Sequence, residues 1–384
     1  MVEKLGAWVK VKRSEKEFPY GSNIAFSYLK KIWEQGWLDE YSDKHFLIRV
    51  LKNDNQFLKS LFDGPQYTYD GVYSVNCETF LINFNFRLLE MSSHFGEEKI
   101  ENFIKNQLSA GKKHYNQNQF FQALSEIEVI RYFLAFGNSF EKNCVYEPTV
   151  NNSKCNPEAS IRYSDGTIIN IEVKTPEFTN KLNRFDRYMP LLLLNEEGRR
   201  EFEKMCKYYG AYAVMPRVMK LKEFLNSAAT KFEEVEDNVK VYNILFINWT
   251  YTEIRDNGYY EACSLLYNDV NGILKYPEVG KKIGVHEDVY KKISAIFVYQ
   301  CPDEMMMFHD FRYLFASRSA AFLINPFVVN SENKIKEIHK LMRFQKNDFK
   351  WMKELYVNFD VDEAHFDEKI LEKLGQIVVK NVLD

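Results

Sequence analysis

The spacing of apolar residues predicts a helical first part of the chain, followed by a part in which strands and helices alternate. Apolar residues recur at helical spacing in "SNIAFSYLKKIWEQGWLDEY", "CETFLINFNFRLLEMSSHF" and "EEKIENFIKNQL". The segment "NDNQFLKSLF" also predicts a helix, and a turn-rich stretch, "DGPQYTYDG", separates it from "CETFLINFNFRLLEMSSHF". A further helix, "FFQALSEIEVIRYFLAFG", follows Gln119. The later pieces rich in β-branched and aromatic residues predict strands: "NCVYEPTV", "EASIRY", "TIINIEVKT", "VYNILFINWTY", "ISAIFVYQ" and "AAFLINPFVV".

This order of elements predicts an α/β or α+β fold, a sheet core with helices packed on it. The polar stretch "SAGKKHYNQNQ" marks a candidate boundary. We predict a mostly helical N-terminal region over 1–108, serving recognition, sensing or assembly, a sheet-containing core over 109–330, and a C-terminal helical segment over 331–384 packed on the core. The segment 181–231 is interpreted as helical and rich in basic residues.

The stretch "NPEASIRYSDGTIINIEVKT", residues 156–175, predicts a β-hairpin. A two-residue turn at Asp165 and Gly166 would leave both faces mixed. A three-residue loop from Ser164, with Gly166 in the left-handed conformation, sorts the side chains instead. One face then collects Ala159, Ile161, Tyr163, Thr167, Ile169, Ile171 and Val173, and the other collects Glu158, Ser160, Arg162, Ile168, Asn170, Glu172 and Lys174. Because a slip by one residue moves a whole strand to the other face, the sorted register is favoured.

In this register Glu158 lies opposite Glu172, and Lys174 shares their face. Like charges directly opposed destabilise a strand pair, so something must offset the repulsion. One explanation is an ordinary solvated ion pair with Lys174. The other is a divalent cation, because magnesium takes hard oxygen ligands.

Two more carboxylates, Glu126 and Glu128, lie on the predicted helix after Gln119, which is apolar on nearly all sides. A carboxylate on a buried helix needs a partner, because its desolvation is costly. That partner is the same cation, Arg131 or water at a helix edge, and periodicity does not separate Glu126 from Glu128.

Composition and charge limit the classes of protein that fit this chain. With 384 residues and a net charge of −3, the molecule as a whole does not attract nucleic acid. Residues 181–231, however, carry eleven basic and six acidic side chains, a net charge of +5 that suits phosphate contacts or an ordinary solvated helix face. Six scattered cysteines favour a reducing, cytoplasmic compartment over a zinc site or disulfide framework. The start "MVEKLGAWVKVKR" lacks an apolar signal region, and no apolar run is long enough to cross a membrane.

The order of a helix with glutamate ("SEIEV"), then "YEP", "NPE" and "IEVKT" resembles the PD-(D/E)XK nuclease superfamily, the restriction-endonuclease-like fold. The resemblance covers residues 118–180 closely and extends loosely to about residue 330. It implies a mixed β-sheet core flanked by helices. It implies catalytic roles for Glu126, Glu158, Glu172 and Lys174, with Glu126 chosen over Glu128 by the likeness of "SEIEV" to the family pattern. The implied Mg²⁺ ligands, for which Mn²⁺ can substitute, are Glu158, Glu172, the backbone carbonyl of Val173 and Glu126.

The resemblance further implies a Mg²⁺-dependent endonuclease that hydrolyses phosphodiester bonds of DNA, in restriction or defence against foreign DNA. Lys181, Arg184 and Arg187 follow the "EVK" strand most closely and are the first candidates for DNA phosphate contacts. A homodimer is expected if both strands are cut, and RNA is a third alternative as substrate. Glu158 stands where the family usually has aspartate. That departure keeps open a catalytically degenerate protein that binds nucleic acid or serves as a scaffold.

Overall fold

The structure is a computed structural model of the chain. It describes residues 18–20, 26–38, 44–54, 56, 66–68, 71–73, 77–109, 115–135, 142–148, 156–176, 187–190, 196–208, 210–214, 217–235, 240–249, 259–267, 272–299, 320–329 and 331–342.

The chain forms two compact units, residues 1–127 (the first unit) and 128–384 (the second unit). The elements of the first unit are α1 (Ser27–Glu34), α2 (Phe46–Leu51), β1 (Gln66–Thr68), β2 (Gly71–Tyr73), α3 (Cys77–Phe95), α4 (Glu97–Asn106) and the beginning of α5 (Gln117–Ala135). The helices predicted from the long amphipathic segments are therefore present. The stretch predicted to be a turn-rich break contains β1 and the first residue of β2, which pairs with β1 antiparallel, and α2 was not predicted. Most of the helix predicted over "NDNQFLKSLF" lies outside the described residues. The domain boundaries predicted at residues 108 and 330 stay predictions.

Aromatic packing and one side-chain cap organise the first unit. The ring of Phe46 on α2 lies 5.5 Å from the ring of Phe80 and 5.1 Å from that of Phe120. His45 begins α2, where its Nδ1 accepts the backbone N–H of Leu47 at 3.1 Å. A capping acceptor satisfies a donor that the first turn of a helix leaves unpaired, so this buried histidine stabilises the start of α2.

The second unit is built on a six-stranded mixed sheet. Its strands are β3 (Lys142–Tyr146), β4 (Ala159–Tyr163), β5 (Ile168–Lys174), β8 (Val241–Asn248), β9 (Ala295–Tyr299) and β10 (Ala320–Ile324), in the spatial order β10-β9-β8-β5-β4-β3. Strands β5, β8 and β9 are parallel, whereas β3–β4, β4–β5 and β9–β10 are antiparallel. The predicted mixed α/β architecture, a sheet with flanking helices, is confirmed.

The remaining elements of the second unit include a small second sheet. Helices α6 (Glu196–Tyr208), α7 (Val218–Lys231), α8 (Tyr259–Tyr267), α9 (Pro277–Lys282), α10 (Asp288–Lys292) and α11 (Glu332–Met342) accompany the end of α5. Strands β6 (Arg187–Pro190) and β7 (Ala211–Val214) form a parallel pair. The prediction that 181–231 is helical throughout is wrong, because these two strands interrupt it.

The two faces of the central sheet are covered by different helices. Leu245 and Ile247 of β8 belong to one buried cluster with the apolar side chains of α7. On the opposite face, the ring of Phe246 lies 5.6 Å from that of Phe133 on α5. A strand covered on both sides is expected to be apolar, which explains the continuous run "ILFI", residues 244–247, in β8.

The β4–β5 hairpin has the predicted register. Ser160 pairs with Asn170 and Ile161 with Ile169, as the three-residue loop requires. Gly166 has φ +83°, in the left-handed region that glycine adopts at little cost. The side chain of Asp165 accepts the backbone N–H of Thr167 at 3.0 Å. The loop chemistry thus fixes which side chains share a face.

Within the described residues, no helix has both the length and the apolar character that crossing a membrane requires.

Candidate functional site

The two glutamates of the hairpin converge on one ammonium group. Nζ of Lys231 lies 3.1 Å from Oε1 of Glu158 and 2.8 Å from Oε1 of Glu172. The backbone holds Glu158 in place, because its N–H donates to the carbonyl of Ile171 at 2.9 Å. Both carboxylates therefore lie on the same side of the sheet, within reach of a single cation.

Lys174 completes a cluster of four charged side chains, which we call the carboxylate–lysine site (Glu158, Glu172, Lys174 and Lys231). Side chains two residues apart on a strand share a face, and Nζ of Lys174 lies 2.6 Å from Oε1 of Glu172. The side chain of Glu172 is 0% exposed, whereas those of Lys174 and Lys231 are each 20% exposed. The lysines thus connect a buried carboxylate with the surface.

Helix α7 carries Lys231 to the strands. The buried face of α7 runs through Leu221, Leu225 and Ala228, and Lys231 continues this series at helical spacing. Glu172 is the register neighbour of Leu245 on β8, whose side chain packs in the same cluster as this face. The packing of α7 therefore brings its last residue to Glu172, and the negative end of the helix dipole favours a cation there.

The electrostatics of the site combine burial with opposed charges. Burial raises the pKa of the Glu172 carboxyl, the charge of Glu158 adds to this, and Lys174 and Lys231 oppose it. Burial acts to lower the pKa of Lys231, but the charges of Glu158 and Glu172 outweigh it and the pKa is raised. Lys231 is therefore held firmly in its charged form. The two carboxylates and two ammonium groups balance each other.

The oxygen atoms of the site suit a hard divalent cation. Glu158 and Glu172 bring carboxylate oxygens to one place, and carboxylates are ligands that Mg²⁺ takes. Oε2 of Glu172 is buried and accepts no hydrogen bond from any of the residues described. Across the described ranges, no three His, Cys, Asp or Glu side chains are grouped closely enough to hold a metal ion. The fit of this site to a divalent cation therefore depends on two carboxylates, and the carbonyl of Val173 is a predicted further ligand.

Glu126 and Glu128 are both buried on α5, as the apolar pattern of that helix predicts. Glu126 is 9% exposed and lies in the first unit, and Glu128 is 1% exposed and lies in the second. Glu126 as a third metal ligand stays a prediction, as does its choice over Glu128.

The predicted DNA-contacting residues are only partly within the described structure. Lys181 and Arg184 lie outside the described residues, and Arg187 begins strand β6, where only its backbone is described. Elsewhere in the basic segment, Arg217 makes a structural contact. Its backbone N–H donates to Oε1 of the buried Glu261 at 2.7 Å, and its guanidinium lies 4.1 Å from the ring of Trp249.

The sequence reasoning did not single out Lys231 as a site residue. A lysine at a buried-face position of an amphipathic helix needs an anionic partner, but the sequence alone does not say which one. In the sequence, Lys231 was one of eleven basic residues in its segment, and only the packing of α7 separates it from the others.

Comparison with protein-family models, with curated proteins and with solved structures found no match to this chain.

Proposed function

We propose that the protein is a metal-dependent nuclease that hydrolyses phosphodiester bonds of DNA at the carboxylate–lysine site. The observation that carries this proposal is the convergence of Glu158 and Glu172 on one cation position, with Lys174 bound to Glu172. The six-stranded sheet would then be the core of a restriction-endonuclease-like fold.

The energetics of the site support a function over a purely structural role. A buried ion-pair cluster contributes little to stability, and apolar side chains of similar volume often serve as well or better. The sheet nevertheless places Glu172 at 0% exposure beside two lysines. Clustered charges of this kind, with a raised pKa at the buried carboxylate, are typical of functional sites.

Each residue of the site has a role in this proposal. Glu158, Glu172 and the carbonyl of Val173 would hold Mg²⁺ or Mn²⁺. The bound ion supplies positive charge that acidifies water and stabilises charge on the phosphate. Lys174 orients the attacking water and binds a phosphate oxygen, because its ammonium is partly exposed on a flexible stem.

The biological setting we propose is restriction or defence against foreign DNA, in the cytoplasm, with a homodimer where both strands are cut. Lys181, Arg184 and Arg187 are the proposed contacts to DNA phosphates. This setting extends the resemblance of "NPE" and "IEVKT" to the nuclease superfamily. The assay below compares the cleavage of RNA with the cleavage of DNA.

The test is cleavage of supercoiled plasmid DNA, and of single-stranded DNA and RNA, by the full-length protein with Mg²⁺. We expect Glu172→Gln and Lys174→Met each to reduce the rate by about 100-fold or more. Matched controls are Glu223→Gln and Lys220→Met, which alter an ion pair of 3.2 Å on the surface of α7. Cleavage that survives both site substitutions unchanged would overturn the proposal.

A second candidate function is a non-cleaving module of the same fold that binds nucleic acid or serves as a scaffold. One observation favours it, namely that Lys231 already supplies positive charge to both carboxylates. In that case the wild-type protein binds DNA in a mobility-shift assay. It cuts neither plasmid DNA, single-stranded DNA nor RNA in the presence of Mg²⁺ or Mn²⁺.

A further inference from the structure

We propose that Lys231 is a built-in competitor of the divalent cation, and that a phosphodiester anion relieves this competition. The inference rests on the proposed function and concerns the regulation of the same site. Metal binding would be weak in the free protein and strengthened when nucleic acid is bound.

The competition follows from the position of one atom. Nζ of Lys231 contacts the same oxygens, Oε1 of Glu158 and Oε1 of Glu172, that are available to a shared metal ion. If a divalent cation were bound between these carboxylates, that cation and the ammonium of Lys231 would repel each other at close range. The repulsion would be strong, because screening is weak in a partly buried place. Metal entry therefore requires the ammonium to move away.

The charge balance shows what drives that movement. The carboxylate–lysine site is neutral as it stands, with two acidic and two basic side chains. A divalent ion added to it leaves an excess of two positive charges, which a partly buried site tolerates poorly. A phosphodiester group offsets part of this excess and offers the displaced ammonium a new anionic partner.

The structure allows Lys231 to move without unfolding α7. Lys231 is the last residue of the helix, its side chain is 20% exposed, and its four-carbon stem is flexible. The next residue, Phe232, is buried and its N–H donates to the carbonyl of Ala228 at 3.2 Å. The helix end stays anchored there, so the motion is confined to the lysine side chain.

Because binding free energies are reciprocal, DNA must then strengthen metal binding by the same factor by which metal strengthens DNA binding. Isothermal titration calorimetry of the full-length protein with Mn²⁺ measures this factor. Mn²⁺ is titrated once without DNA and once with a phosphorothioate DNA duplex, which retains the backbone charge and resists hydrolysis. For the wild type we expect the duplex to lower the dissociation constant of Mn²⁺ by about tenfold.

Lys231→Gln should lower the Mn²⁺ dissociation constant by about tenfold without DNA, and the duplex should then change it by less than about threefold. Lys220→Gln is the matched control, because it removes the same charge from the same helix at a surface ion pair. It should behave as the wild type does. A Lys231→Gln protein that binds Mn²⁺ no more tightly than the wild type overturns the inference.

A second variant keeps the charge and protects the test against a folding defect. Lys231→Arg should weaken Mn²⁺ binding, since guanidinium offers more donors to two carboxylates. Mn²⁺ binding as tight as in the wild type would contradict the competition. If substitution of Glu172 abolishes Mn²⁺ binding but substitution of Lys231 leaves the Mn²⁺ dissociation constant unchanged, this inference alone fails. If neither the wild type nor any variant binds Mn²⁺, with or without the duplex, the proposed function fails with it.

Discussion

The ammonium of Lys231, at the end of a helix, lies 2.8 Å from Oε1 of Glu172, a carboxylate with no exposed surface in the middle of a sheet. A carboxylate buried in this way is costly unless a cation accompanies it. Lys174 gives the hairpin one positive charge beside its two carboxylates, and the helix supplies the second. This pair links the packing of the second unit to the chemistry that we propose for it.

Removal of that charge is predicted to destabilise the second unit. Lys231→Met leaves Glu158 and Glu172 close together with only Lys174 beside them, and we expect a loss of about 3 kcal/mol in the free energy of unfolding. Urea denaturation followed by circular dichroism measures it. Lys220→Met, whose ion pair with Glu223 is at the surface, should cost no more than about 1 kcal/mol.

A double variant separates the charge effect from lost packing. Glu158→Gln combined with Lys231→Met should be less destabilising than the sum of the two single changes, because the repulsion between carboxylates is gone. Additive losses, or a Lys231→Met protein as stable as Lys220→Met, would show that the ammonium does not hold the pair together.

The hairpin loop is predicted to tolerate only residues that accept a left-handed backbone. Gly166 has φ +83°, and a Cβ added there would meet no atom within 4 Å, so the cost of Gly166→Ala is conformational alone. We expect a loss of about 1 kcal/mol, and a smaller one for Gly166→Asn. Thermal denaturation checks this, with the exposed Ser164→Ala as the neutral comparison. Equal melting temperatures for Gly166→Ala and the wild type would argue against the loop conformation.

The first unit is predicted to lose stability on acidification through His45. Burial lowers the pKa of His45 from 6.5 to about 4, although the hydrogen bond with the carbonyl of Leu108 opposes this. The folded state thus favours the neutral ring. The resulting stability is complete above pH 6.5 and is lost as the pH falls toward about 4.

The matching variant is His45→Asn, which can still accept the N–H of Leu47 but cannot gain a proton in this range. Its melting temperature should be lower than that of the wild type at neutral pH. It should also fall less steeply between pH 6.5 and 4. Parallel pH profiles for the two proteins would exclude His45 as the titrating group.

A close approach between α9 and α10 gives a prediction about packing. A Cβ on Gly280 would clash with the hydroxyl of Tyr290, which donates to the carbonyl of Ile273 at 2.9 Å. Gly280→Ala should therefore cost about 1–3 kcal/mol. Tyr290→Phe removes the hydroxyl with which the new Cβ would clash. The double variant should therefore lose less free energy of unfolding than the sum of the losses in the two single variants. Strict additivity in urea denaturation would contradict the clash.

The hairpin was predictable because its signals are local. Twenty consecutive residues, 156–175, contain all of these signals. They are the alternation of apolar and polar residues with period two, a glycine at the loop, and the placement of Glu158 and Glu172 on one face. The structure shows the same register. The three helices with long amphipathic patterns were predictable for a similar reason, since each spans several turns.

The errors arose where structure depends on distant or short segments. Helix α2 has only six residues, "FLIRVL", a nearly continuous apolar run that fits a strand as well as a helix. Strands β6 and β7 have four residues each, and their pairing joins segments separated by α6. The site residue Lys231 is positioned by the packing of α7 on β8, which no local pattern specifies.

The most direct test of the proposed site is a crystal structure of the full-length protein soaked with Mn²⁺. We predict an anomalous peak between Glu158 and Glu172, about 2.0–2.2 Å from an oxygen of each carboxylate, with Nζ of Lys231 moved away from both. A crystal in which Lys231 still joins the two carboxylates, with no ion between them at a Mn²⁺ concentration that saturates other sites, would contradict the account.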